Sequence, residues 1–98
     1  MLINKAYKLE DYFDSIAPLS LKTFSFKKQK TEKRLFILSE ISKQFETGRR
    51  YSHKEINSIL KAIYDDYATI RRALIDYDFM DRTDDLREYW LKEKYGGY

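Results

Sequence analysis

The chain has no cysteine, one proline, three glycines and a single histidine among its 98 residues. Without cysteine there is no disulfide, no thiolate nucleophile and no cysteine-based zinc site. That composition fits a reducing cytoplasm, the compartment expected here. No apolar run approaches the roughly 20 residues that span a bilayer, so no membrane segment is expected. The first 18 residues carry a charge every few positions and show none of the apolar core of a signal peptide. The glycine-rich phosphate loop, the nucleophile elbow and the His-Glu metal motif are all missing.

His53 stands at the start of a helical pattern with no second ligand type beside it, which suits a structural surface role. The acid pairs Asp65-Asp66 and Asp84-Asp85 are explained as a helix cap and a turn. These readings point away from an enzyme and from any metal or cofactor.

What the chain does have is one domain's worth of residues and many aromatics. Sixteen per cent are Phe, Tyr or Trp, enough large side chains to fill a core in so short a chain. The net charge is only +3, yet it is unevenly spread. Residues 22–54 hold ten Lys and Arg against three Glu, and residues 65–93 hold nine acids against five bases. A nucleic-acid-binding surface would be sought in the first stretch.

Leu2, Ala6, Leu9, Phe13 and Ile16 recur at helical spacing and predict an amphipathic helix ended by Pro18. This helix would either pack on its own domain or form the seam of a homodimer. Residues 19–26 alternate weakly and suggest a short strand or extended arm. Thr31 onward predicts a second helix, with Leu35, Leu38, Ile41 and Phe45 inward and Gly48 just past its end. Arg49, Arg50 and Tyr51 form an extended connection. Ser52-His53-Lys54-Glu55 is a capping box, followed by the apolar stripe Ile56, Ile59, Leu60 and Ile63. Asp65-Asp66 caps the next helix, whose inward positions are Tyr67, Ile70, Leu74 and Tyr77. Asp78 stands where the chain leaves that helix, at a position that favours left-handed geometry. Two alternating runs, 79–83 and 87–91, separated by Asp84-Asp85-Leu86, predict a β-hairpin.

The expected fold is therefore α+β, mainly α: a winged helix-turn-helix over residues 31–91, with an extra N-terminal helix and a two-stranded wing. As domains, residues 1–25 are the N-terminal helix and arm, 26–93 the winged-helix-like unit, and 94–98 a frayed tail. A small α+β domain that uses this order for packing alone is the plainer alternative.

Residues 66–77 would be the recognition helix. Arg72 lies opposite its buried face, flanked by Ala68, Thr69, Ile75 and Asp76. Arg72 could read a guanine edge and Thr69 could touch a phosphate or a thymine methyl. Arg71 sits on the flank, where pairing with Asp65, Asp66 or another acid competes with a ligand role. Lys27, Lys28, Lys30, Arg49, Arg50 and Lys54 complete the candidate DNA contacts. Asp76, four residues after Arg72, is placed to pair with it, and the hairpin tip is acidic.

The string from Gly48 to Asn57, the run Asp66-Tyr-Ala-Thr-Ile-Arg-Arg-Ala-Leu74, and then Tyr77, Met80, Arg82 and Tyr89-Trp90 resemble bacterial domain-of-unknown-function family 2087 over about residues 24–91. The resemblance implies a winged-helix-like fold, found alone or at the C-terminus of transcriptional regulators, with no established biochemical activity. Relatives often carry Pro at the position of Lys27, His at Tyr64, Gly at Asp78 and a glycine-bearing turn at 84–86.

Two functions are thus in play. One is a DNA-binding regulator with duplex DNA as partner. The other is a protein-interaction or oligomerisation module of the same shape that binds no DNA.

Overall fold

A computed structural model describes residues 7–23 and 26–92. Leu2 and Ala6 of the expected first helix, Phe24 of the arm and the tail from residue 93 lie outside the described residues.

Among the described residues, from Tyr7 onward, the N-terminal segment is not the helix that its spacing suggested. Residues Leu9–Asp11 make one 3-10 turn, and strand β1 (Phe13–Ile16) then pairs antiparallel with β2 (Leu19–Leu21). Tyr12, Phe13, Leu19 and Leu21 go inward, whereas Ile16, at the end of the expected stripe, is 51% exposed. Aromatic and β-branched residues beside a proline turn suit a hairpin, and packing overrides a helical propensity that is only a weak preference. The hairpin leans, through β2, on the helix His53–Ile63. Of the two alternatives for this segment, packing on its own domain is what the described residues do, through β2 and Tyr12.

Helix α1 (Thr31–Ser42) begins one residue after Lys30, which supplies no side-chain cap; Thr31 is itself the first helical residue. It ends at Ser42, short of Phe45. Phe45 is still buried, in the irregular turns that follow, where its ring meets Tyr51 edge-on at 5.1 Å. The Tyr51 hydroxyl accepts a hydrogen bond from the Glu46 backbone N–H at 2.7 Å, closing this loop. On its other side α1 offers Phe36 to Tyr7 and Tyr12, with centroids 5.3 and 5.6 Å away.

Gly48 has φ +82°, the left-handed region, and a Cβ placed there would meet nothing within 4 Å. The cost of Gly48→Ala is then backbone strain alone, expected to be about 1–2 kcal/mol in a urea melt. A loss near zero would mean that the loop can readjust.

Strand β3 (Tyr51–Ser52) leads directly into helix α2 (His53–Ile63), and α3 (Tyr67–Asp76) follows after three residues. Strands β4 (Met80–Arg82) and β5 (Glu88–Leu91) form the expected hairpin. The connection read as merely extended, Arg49 to Tyr51, contributes the third strand: the sheet order is β3-β5-β4, all antiparallel, with Tyr51 opposite Tyr89 and Arg82 opposite Tyr89 on the other side. The domain is thus a small α+β unit of three α-helices and two antiparallel sheets among the described residues.

The capping box is present in full: Ser52 Oγ accepts from the Glu55 N–H at 3.0 Å, and Glu55 Oε1 accepts from the Ser52 N–H at 2.8 Å. Ile56, Leu60 and Ile63 from α2 meet Ile70, Ala73 and Leu74 from α3, and Ile37, Leu38 and Ile41 from α1 complete the core with Met80 and Tyr89. Asp78 leaves α3 at φ +66°, as expected of that position, and Leu86 in the hairpin turn has φ +63°.

Candidate functional site

Helix α3 buries Ile70, Ala73 and Leu74 and turns Arg72 and Asp76 outward. Between it and the β4–β5 hairpin lies a groove of about 320 Å³. Arg71, Arg72, Ile75 and Asp76 line it from the helix, and Arg82, Leu86 and Tyr89 from the hairpin. A second groove, of about 290 Å³, runs along the other flank of α3. Phe26, Arg34, Thr69, Arg72 and Tyr77 are among its walls. Arg72 and Asp76 belong to both, so they form the ridge between the two grooves.

The arginines of the domain divide by partner. Arg49 is salt-bridged to Glu55 at 3.0 Å and lies over the Tyr51 ring, 4.4 Å from its centroid. Arg50 is salt-bridged to Glu88 at 2.9 Å and stacks on Trp90 at 4.1 Å. Arg87 faces Asp85 at 3.5 Å. Those that line the first groove are different. Arg71 donates to the neutral Asn57 Oδ1 at 2.6 Å, and Arg82 to the Thr83 carbonyl at 3.2 Å. Among the described residues neither these two nor Arg72 has a carboxylate within ion-pairing distance. The expected partners Asp65, Asp66 and Asp76 form no ion pair with these arginines: Arg71 takes an amide on α2 instead, and Arg72 and Asp76 are unpaired although one turn separates them.

The other predicted contacts scatter. Thr69 uses its hydroxyl to donate to Asp66 Oδ2 at 2.7 Å, within the first turn of α3, and Ala68 is half-buried beside it. Lys28 and Lys30 are exposed near Phe26, before α1, with Lys27 in the same 3-10 turn (Phe26–Lys28). Arg49, Arg50 and Lys54 lie around β3 and the start of α2. Trp90, under Arg50, follows the buried Tyr89 in β5 and so faces the opposite side of the sheet from the core. Within the basic stretch 22–54, Arg34 borders α3 together with Phe26, whereas Arg50 lies against the hairpin.

Sequence reasoning missed Arg82 as a site residue. A signal for it exists, since it shares a strand face with the buried Met80 yet is charged, as happens where a strand runs past the core into a cleft.

Two carboxyls are held below their ordinary range. Glu55 is lowered first by the Ser52 backbone N–H and then by the Arg49 guanidinium. Asp85 is lowered first by the Thr83 hydroxyl, at 2.7 Å, and then by the Arg87 backbone N–H. Asp85 is thus occupied in shaping the turn. A depressed folded pKa stabilises the fold above the unfolded value and ceases to do so as pH falls through the folded one. The start of α2 and the hairpin turn should therefore loosen below about pH 4. Thermal midpoints recorded from pH 7 to 3 should fall at the acid end, and Glu55→Gln should flatten part of that fall. Ser52→Ala should cost about 1 kcal/mol at pH 7.

His53 is half-buried with Nδ1 3.0 Å from the Tyr89 hydroxyl, a contact that ties α2 to the floor of the groove. No helix among the described residues is long and apolar enough to cross a membrane.

The fold and groove define a small α+β domain with an arginine-lined cleft beside its third helix. The model of a family described as uncharacterised protein conserved in bacteria, DUF2087, matches residues 21–91, and the chain belongs to that family. No curated protein and no solved structure matches it.

Proposed function

We propose that the chain is a non-enzymatic winged-helix module that binds duplex DNA, with α3 as the helix presented to the major groove. The order helix, strand, helix, helix, hairpin supports that reading, as does the pairing of β3 with the hairpin. A bacterial regulator of transcription is the role that suits it.

The observation that carries the proposal is Arg72. It is exposed on the outward face of α3, carries no intramolecular partner among the described residues, and is flanked by two further arginines that lack carboxylate partners. A guanidinium left free in this way is available for two-point hydrogen bonding to a guanine edge or a phosphate. Arg82, the last residue of β4 before the acidic turn, makes the backbone contact in this arrangement.

Fluorescence anisotropy with a random-sequence duplex at low salt tests the reading. Binding that weakens linearly in log–log form as salt rises is the expected result. No binding at micromolar protein in 50 mM salt would refute it.

A second reading, a protein-interaction module, rests on Leu86, which is 44% exposed at the rim of the same groove beside Asp84 and Asp85. It requires a stable complex that survives Arg72→Ala and is lost on Leu86→Ser.

A further inference from the structure

The groove between α3 and the hairpin has a composition that a packing surface does not need. Its walls carry three guanidiniums and one carboxylate, a formal excess of +2, around an aromatic and aliphatic lining of Tyr89, Ile75 and Leu86. Its volume, about 320 Å³, sits at the lower end of the range in which small ligands are held.

Arg71 is the informative member. It is half-buried, and its fixed contact is Asn57 Oδ1, a neutral acceptor. Asn57 stands four residues after His53 on α2, so the same helix face holds Tyr89 through His53 and Arg71 through Asn57. An amide positions the guanidinium without cancelling its charge, whereas a carboxylate would do both. On the opposite wall, Arg82 NH1 is tied to a backbone carbonyl, again a neutral acceptor. Both cations therefore keep their charge uncompensated, and Arg71, half-buried and bonded to α2, is held in place as well. At Arg71 that is preorganisation for an anion, since less side-chain entropy is left to lose on binding. Arg49, Arg50 and Arg87, which have carboxylate partners, do not line this groove.

We infer that the α3–hairpin groove is a phosphate-ester site, in which Arg71 and Arg82 hold the anion from opposite walls and Arg72 closes the rim. The inference rests on the DNA reading only in so far as a backbone phosphodiester is one source of that group; a free phosphorylated small molecule is the other. Asp76 opposes the anion from the rim and sets an upper limit on its affinity.

The experiment follows the arginine Nε–Hε resonances of the full chain while inorganic phosphate, a 5′-mononucleotide and a short random duplex are added separately at constant ionic strength. Arg71 and Arg82 should shift with phosphate and Arg50 should not. Arg82→Gln should weaken phosphate binding by about tenfold, as removal of one charge-assisted hydrogen bond implies. Asp76→Asn should strengthen it several-fold, a gain that damage to the fold would not produce. Arg50→Gln should leave it unchanged. Arg71 and Arg82 signals that stay fixed, or Arg82→Gln and Arg50→Gln behaving alike, would overturn the site.

The arms separate the sources and the two proposals. A duplex that displaces phosphate assigns the site to the DNA backbone. Phosphate or nucleotide binding without duplex binding keeps the site, assigns it to a small ligand and removes the DNA reading. Duplex binding that neither phosphate nor Arg82→Gln affects removes the site and leaves the DNA reading standing.

Discussion

Leu74→Ala should lower the stability of the domain by about 3–5 kcal/mol, the cost of truncating a leucine where the surroundings cannot collapse into the space. Leu74 is fully buried on α3, amid core side chains from α2, α3 and the hairpin. Its carbonyl also accepts from the Phe79 N–H at 2.9 Å, the bond that turns the chain from α3 into β4. A domain of this size has about 5–15 kcal/mol in total, so the loss would be a large share of it. The check is a urea titration, in which the midpoint should fall with little change in slope. Leu86→Ala, at a site 44% exposed, should move it by less than about 0.5 kcal/mol. A Leu74→Ala effect below about 1 kcal/mol would mean that α3 is not anchored through this residue, and the groove it walls would lose its physical basis.

The same residue shows how much of this fold is legible in the sequence. Where apolar spacing coincides with an unambiguous start signal, the structure follows it. Ser52 and Glu55 set the beginning of α2, and Ile56, Leu60, Ile63, Ile70 and Leu74 are all buried. Asp78 is expected at a left-handed position and is found there. The N-terminal segment has the spacing without the cap. Phe13 and Ile16 fit a helix stripe, but the pairing of Phe13 with Leu21 is a contact between residues whose partnership no local pattern reveals. The strand at Tyr51–Ser52 is invisible in the sequence for a related reason: two residues are too few for an alternation, and only their pairing with β5 makes them a strand.

The candidate site is half legible. Arg71 and Arg72 can be placed on α3 from helical geometry, and they do share a groove. What local sequence does not supply is their partners. Arg71 takes Asn57, fourteen positions away, and not a nearby acid. Arg49 and Arg50, free cations on a charge count, are stacked on Tyr51 and Trp90 and salt-bridged to Glu55 and Glu88. Such exposed pairs are worth at most about 1 kcal/mol each, so they hold the connection to the hairpin only lightly. They nonetheless make these two arginines poorer first contacts for an external phosphate than cations with no pair to break. Local charge counting does not rank them, because the ranking depends on which acid each cation meets across the sheet.

The double substitution Arg72→Ala with Arg82→Ala should weaken duplex binding by about 100-fold at 50 mM salt, on the order of tenfold for each charge-assisted hydrogen bond removed. The salt dependence should also become shallower by about 1.8 in the slope of log K against log salt, since each phosphate neutralised contributes about 0.9. Both side chains are exposed and neither is tied to a carboxylate, so the thermal midpoint should barely move and the loss can be assigned to the interface. The matched control is Arg49→Ala with Arg50→Ala, which removes the same charge from the side occupied by Glu55 and Glu88. It frees two carboxylates as it removes two cations, so it tests position against bulk charge. If the groove makes the contact, the control keeps most of the slope, and any loss of affinity is well short of that caused by the groove pair. If the two double variants lose affinity and slope equally, the protein attracts DNA by net charge alone, and α3 has no special part in binding it. A single Arg72→Ala then separates readout from attachment. Loss of preference between duplexes of different sequence, with the slope nearly unchanged, would assign Arg72 to base edges and leave Arg82 to the backbone, whereas a slope reduced by about 0.9 would assign Arg72 to a phosphate.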